Sequence, residues 1–142
     1  MTSERAPYVL EDQVGNLLRR AHQRATAVFL ATLAGGQITP TQWAALVKLA
    51  HHGALSQNHL GRLTAMDPAT IQGVTRRLEE RALIERTRDQ TDRRRFALTL
   101  TAEGAALVER HRDEALKVSA ETLAPLTAAE QAQFLALLKK LT

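Results

Sequence analysis

The 142-residue chain contains no cysteine. That absence excludes disulfides, thiolate metal sites, cysteine nucleophiles and cysteine redox sensing together. Aromatic residues are scarce, at 4%, and beside plentiful Ala, Leu, Arg and Glu this points to a mainly helical chain. No segment approaches the ~20 apolar residues that a membrane span needs. The opening MTSERAPYVLEDQ lacks the apolar core of a signal peptide, so a soluble cytoplasmic protein is expected. There is no Gly-rich phosphate loop and no Gly-x-Ser-x-Gly elbow. Ser56 and His59 read as helix cap and helix surface, not as a catalytic pair. Neither an enzyme nor a cofactor is expected.

What is present is a positive balance, +4 at pH 7, which favours a polyanionic partner. The length suits a single domain spanning 1–142. Helical spacing of Leu10, Val14, Leu17, Leu18, Ala21, Ala25, Val28 and Phe29 predicts a first helix from about Val9 to Ala34, stopped by Gly35-Gly36. Thr39-Pro40-Thr41-Gln42 supplies an N-cap, a first-turn proline and a capping-box glutamine for a second helix. Trp43, Leu46, Val47 and Ala50 form its expected buried side. Ser56 caps a short third helix with Leu60 and Leu63 inward. After the turn Ala65-Met66-Asp67, a fourth helix opens with Asp67 as N-cap and Pro68 in its first turn. Ile71, Val74, Leu78 and Ala82 make one apolar stripe on it. The opposite side carries Ala69, Gln72, Gly73, Arg76, Arg77 and Glu80. Taken alone, this helix could be an ordinary solvated surface.

The next segment decides against that. After Ile84 the period changes to two, with Phe96, Leu98 and Leu100 alternating with Ala97 and Thr99 as in a half-buried strand. Asp89-Gln90-Thr91-Asp92-Arg93 has the residues of a hairpin loop. Between Arg76 and Arg95, eight arginines face five acids. Two short helices joined by a tight turn, followed at once by a basic hairpin, make a winged helix-turn-helix over about 39–100. Thr101 caps a fifth helix running to about Leu123, Pro125 interrupts, and Thr127–Glu130 opens a last helix with Phe134, Leu137, Leu138 and Leu141 inward. The terminal segments, about 8–34 and 101–142, hold more apolar surface than a small winged core covers. They are expected to pair two copies about a two-fold axis. Two recognition helices ~34 Å apart then reach successive major grooves. The expected class is mainly α, a winged helix-turn-helix with an α/β wing and N- and C-terminal dimerisation helices.

From Leu60 to Gly104 the chain resembles the multiple-antibiotic-resistance regulator (MarR) family, and the order of elements matches over nearly its whole length. The family's wing pattern appears as Asp89, Asp92, Arg94, Leu100 and Thr101. The resemblance implies that Arg94 braces the wing through the aspartates and that Arg93 enters a minor groove, where a narrow groove attracts arginine. One departure is Ala82, where the family usually has glycine; a left-handed backbone there costs alanine about 1 kcal/mol. The candidate DNA contacts are Ser56, Gln57, Thr70, Gln72, Gly73, Thr75, Arg76, Arg77, Arg88, Arg93, Arg94 and Arg95.

The AMDPATIQGV segment is similar to a branch of the family that represses operons for aromatic-acid degradation. The resemblance implies a repressor released from a palindromic operator by a small aromatic acid of hydroxybenzoate, cinnamate or hydroxynicotinate type. Arg19, His22, Trp43, His51 and His52 are the candidate ligand residues, because arginine pairs with a carboxylate and histidine bonds a ring hydroxyl or nitrogen. Two have plainer alternatives: Arg19 as a solvated or salt-bridged surface residue, Trp43 as core. Two other functions stay open. One is a histidine-ligated metal-responsive regulator, although no His-x-x-x-His pair with an adjacent Glu appears and no metal site is expected. The other is a DNA-binding protein without sequence preference, which would bind random duplex nearly as well as its own promoter.

Overall fold

A computed structural model describes residues 4–142. The first three residues of the expected single domain, 1–3, lie outside the described residues. The elements are helices α1 (Val14–Thr32), α2 (Pro40–His52), α3 (Gln57–Leu63), α4 (Pro68–Glu80), α5 (Ala102–Thr122) and α6 (Ala128–Lys139). Strands β1 (Ala54–Leu55), β2 (Ile84–Arg88) and β3 (Phe96–Leu100) join as an antiparallel sheet in the order β1-β3-β2. β2 and β3 form the wing, with Ile84 opposite Leu100 and Arg88 opposite Phe96. The two-residue β1 pairs with Thr99 and Leu98 and is too short to leave a periodic signal. The first helix starts later than its apolar spacing suggested. Gln13 is extended and ends a separate 3-10 turn at Leu10–Asp12.

The expected caps form. Thr39 and Gln42 exchange both bonds of a capping box, as do Thr127 and Glu130. Ser56 accepts the His59 N–H, and Asp67 accepts the Thr70 N–H at 2.8 Å. The core is aliphatic: Ala45, Leu46 and Leu49 of α2 meet Leu60, Ile71, Leu78, Ile84, Leu98 and Leu107.

Three expected burials do not hold. On α2 the core face is Gln42, Ala45, Leu46 and Leu49, whereas Trp43 and Val47 are only half-buried and Ala50 is exposed. The helix has a second apolar stripe, and that stripe faces α5. Phe96 is exposed and lies beneath the Arg88 guanidinium, 5.7 Å from the ring centre. Phe134 and Leu137 of α6 and Leu141 just beyond it are exposed, as are Val14, Leu17 and Leu18 of α1. These side chains line one apolar groove of about 410 Å³ between the two helices. Its surface is of a kind that marks an interaction site.

Two helices end in an unusual way. Leu83 N–H donates to the Leu78 carbonyl and Ala82 N–H to Glu79, while Met66 and Ala65 do the same to Gly61 and Arg62. Both are Schellman caps, and both place alanine at the left-handed position, with φ of 56° at Ala82 and 54° at Ala65. Ala82 therefore lies beyond the end of α4 and is exposed, not the last member of its buried stripe. Gly104 is constrained differently. A Cβ there would lie about 2.0 Å from the Leu83 carbonyl oxygen.

Ala65→Gly and Ala82→Gly are each expected to stabilise the fold by up to about 1 kcal/mol, the left-handed penalty less the extra chain entropy of glycine. Gly104→Ala is expected to destabilise it by about 1–3 kcal/mol through overpacking. Urea denaturation midpoints check both signs.

Candidate functional site

The recognition element is α4. Its inner face, Ile71, Val74, Thr75 and Leu78, is buried, and Thr70, Gln72, Arg76 and Arg77 on the other face are exposed. None of the ion pairs among the described residues involves Arg76 or Arg77. Gly73 is half-buried on the same face, with nothing within 4 Å of an added Cβ. Thr75 is a correction to the expected contact set. Its side chain is fully buried, and its hydroxyl donates to the Ile71 carbonyl and to Gln57 Oε1. It packs the helix and cannot reach a ligand. Gln57 is likewise engaged within the protein, and Ser56 spends its hydroxyl on the α3 cap.

The wing loop is built from short polar bonds. Asp89 accepts both the N–H and the hydroxyl of Thr91, and Asp89 N–H donates to the Arg95 carbonyl. The backbone bond from Thr91 is the chief reason the Asp89 carboxyl is held below its ordinary value. The expected brace from the Arg94 guanidinium is not the one formed. Arg94 gives its backbone N–H to Asp92 Oδ1, while the side-chain ion pair to Asp92 comes from Arg95 at 3.7 Å. Arg88 reaches the Arg93 carbonyl. The side chains of Arg93 and Arg94 stay exposed at the tip, in no ion pair among the described residues. A polar hollow of about 450 Å³ lies between α3 and the wing, lined by Asn58, Arg62, Arg86 and Arg95 among others.

Two arginines outside the expected set tie α4 to its surroundings. Arg81, at the end of the helix, donates to the Gln37 and Gly36 carbonyls at 2.9 and 3.2 Å. Arg86 on β2 donates to Glu79 Oε1 at 2.9 Å and to Gln57 Oε1 at 2.8 Å. No sequence signal separates these from the other arginines of the segment, since partners 29 and 44 positions away are set by the fold.

The five expected ligand residues fall in several places. Trp43 and His51 line a cleft of about 420 Å³ between α2 and α5, together with Val47, Glu109, Arg112 and Leu116. Arg112 was not expected there. The run Glu109-Arg110-His111-Arg112 carries two arginines, and only the phase of α5 says which one faces α2. His52 points elsewhere, its ring 6.4 Å from that of His59. His22 lies in an apolar groove among α1, α5 and α6. Arg19 is exposed and bonded to Asn16. His111 is buried against Glu114. Among the described residues, no three His, Cys, Asp or Glu side chains cluster as a metal site would require. None of the described helices is long and apolar enough to cross a membrane.

Residues 38–96, from just before α2 to the first residue of β3, match the model described as the MarR family. The chain is 39% identical to the HTH-type transcriptional repressor NicR of Pseudomonas putida, over 97% of this chain and 87% of that one. This protein belongs to the MarR family. Among solved structures it is similar to Bordetella bronchiseptica BpsR, described with a mechanism for regulation of its DNA binding by 6-hydroxynicotinic acid. The TM-score there is 0.90 at 39% identity, covering 96% of this chain and 97% of that one. It is also similar to a mutant MarR from E. coli complexed with operator DNA, with TM-score 0.84, 26% identity, and 90% and 92% covered.

Acid should probe the α4 cap directly. The Thr70 N–H holds the Asp67 carboxyl below its ordinary value, so the folded state favours the charged form. That contribution is present above the unfolded carboxyl value and is lost as pH falls through the lowered one, below about pH 4. Asp67→Asn is expected to lose this part of the acid dependence, as read from urea midpoints across that range.

Proposed function

We propose that this MarR-family chain is a dimeric, sequence-specific DNA-binding repressor that a small aromatic acid releases from a palindromic operator. The observation that carries the DNA half is the exposed face of α4. Gln72, Arg76 and Arg77 are exposed there, the two arginines in no ion pair among the described residues, while the opposite face is buried. Guanidinium and amide groups on a helix entering the major groove read base edges bidentately. Arg93 and Arg94, at the exposed wing tip, meet phosphates and the negative potential of a minor groove. The apolar face of α1 and α6 pairs with a second copy, which sets two α4 helices for successive grooves. The similar MarR structure with operator DNA supports the same docking.

The effector half rests on the cleft between α2 and α5. Its volume, about 420 Å³, lies within the range of small-molecule sites. Trp43, Val47 and Leu116 give it apolar walls that suit an aromatic ring. Arg112 supplies a guanidinium for the carboxylate, and His51 and Glu109 offer partners to a ring hydroxyl or ring nitrogen. The similar BpsR, regulated by 6-hydroxynicotinic acid, supports a ligand of this class. The acid induces only if it binds the DNA-incompetent state better than the DNA-bound one.

Arg76→Ala is expected to cost about 1–3 kcal/mol in operator binding and to relax preference at one base step. Arg93→Ala is expected to weaken binding and to flatten its salt dependence. Titrations of labelled duplex at several salt concentrations measure both, and unchanged affinity in both variants overturns the DNA reading. A panel of hydroxybenzoates, cinnamates and hydroxynicotinates, screened by thermal shift, tests the cleft. The acid that stabilises the wild type should release DNA from it, while Arg112→Ala keeps DNA binding and loses the response. A response undiminished in Arg112→Ala removes the cleft from the reading, and a His22→Ala variant then tests the α1 groove.

A further inference from the structure

Arg86 holds three elements with one guanidinium. It projects from β2 of the wing, and its Nε donates to Glu79 Oε1 on α4 at 2.9 Å. Its Nη2 donates to Gln57 Oε1 on α3 at 2.8 Å. The same Gln57 oxygen accepts the hydroxyl of Thr75, the fully buried threonine on the inner side of α4. Both members of the ion pair are about two-thirds covered, with side-chain exposures of 36% and 33%. A surface pair of two free side chains contributes little, because ordering them offsets the attraction. This pair differs in that a planar fork is held from two directions and one of its acceptors is already bonded to a buried group.

We infer that Arg86 is a positioning residue for DNA recognition: bonded to Glu79 and Gln57, it fixes the angle between the wing and α4 without touching DNA. The inference rests on the reading that α4 and the wing both engage one duplex. If they do, their contacts are productive together only when the wing arginines and the outer face of α4 hold one relative orientation. The base of the wing is set where β2 joins α4, through the three residues 81–83. Arg86 closes that joint from the side. Its charge is already paired, whereas Arg76, Arg77, Arg93 and Arg94 are in no ion pair among the described residues.

The sign of one substitution separates positioning from simple electrostatics. Removing the negative Glu79 beside a DNA-binding face should strengthen binding if only charge matters. If Glu79 serves by holding Arg86, removing it weakens binding. The experiment compares wild type, Arg86→Ala, Arg86→Lys, Glu79→Ala and the double alanine variant. The probe is a duplex that the wild-type protein has enriched from a random pool, with unselected duplex as control. Arg86→Ala and Glu79→Ala are each expected to weaken binding to the enriched duplex about tenfold, with the double variant no worse than Arg86→Ala. Lysine at position 86 should not rescue, since a single ammonium lacks the fork. Preference over random duplex should fall while the salt slope and the melting temperature stay at wild-type values.

Three results overturn the inference. Tighter binding by Glu79→Ala is one. A salt slope flatter by about 1.8 in Arg86→Ala is another: it corresponds to one phosphate no longer neutralised by each protomer of a dimer, and would place Arg86 on the DNA. Wild-type affinity in both alanine variants is the third. If Arg86→Ala melts too low for the assay, Glu79→Ala carries the test, because alanine is the best helix former at such a position. Failure of the wild type itself to enrich any duplex overturns the DNA reading along with this one. Failure of the variants alone overturns only the role of Arg86.

Discussion

Leu83 draws together the recognition helix, the wing and the long helix that follows. Its N–H closes the Schellman cap of α4 on Leu78, and its side chain is buried in the core. Its carbonyl oxygen accepts the Thr101 N–H at 3.1 Å, so the strand leaving the wing is tied to the strand entering it. Thr101 then spends its hydroxyl on the Ala82 carbonyl and on the N–H of Gly104, which caps α5. Gly104 sits so close to the Leu83 carbonyl that a side chain has no room. Four residues thereby satisfy the orphan groups of two helix ends and set the base of the wing. The left-handed backbone at Ala82 is a local cost accepted to make that turn.

Charge is divided by task. Arg81, Arg86 and Arg88 are bonded within the protein, to loop carbonyls, to Glu79 and Gln57, and to the Arg93 carbonyl. Arg24 on α1 reaches the Thr122 and Glu121 carbonyls at the end of α5, where a cation also suits the helix dipole. Arg76, Arg77, Arg93 and Arg94 are in no ion pair among the described residues. A guanidinium with internal partners adds rigidity, and one without them keeps its charge for a polyanion. The positive balance of the chain thus builds the platform as well as its binding face.

Most of the scaffold could be read from the residues. Ser, Thr and Asp at helix starts, prolines in first turns and two capping boxes are local signals, because each cap involves residues within three positions. The change of period after Ile84 marks the wing. Misreadings arise where burial depends on a distant partner. The spacing on α2 fits two faces, and only the packing of α3, α4 and β3 chooses Ala45, Leu46 and Leu49 for the core. Toward the C-terminus the apolar residues are real, yet Phe134 and Leu137 of α6 and Leu141 beyond it stay exposed rather than covered by their own chain. Thr75 stands in sequence among the outward-facing residues of α4, and the turn of the helix buries it.

Residue order was enough to specify the succession of elements, the caps, the basic helix and wing, and the family to which the chain belongs. Those features depend on neighbours in sequence, whose geometry the backbone fixes within one or two turns. Which arginines brace and which stay free was settled only by packing in three dimensions. Packing also brought Arg112 beside Trp43 and His51 in one cleft, and set Arg86 across wing and recognition helix. Side chains tens of positions apart meet only after the helices have packed. Arg110 and Arg112 stand two residues apart, about 200° around the helix, so only that packing decides which of them faces α2.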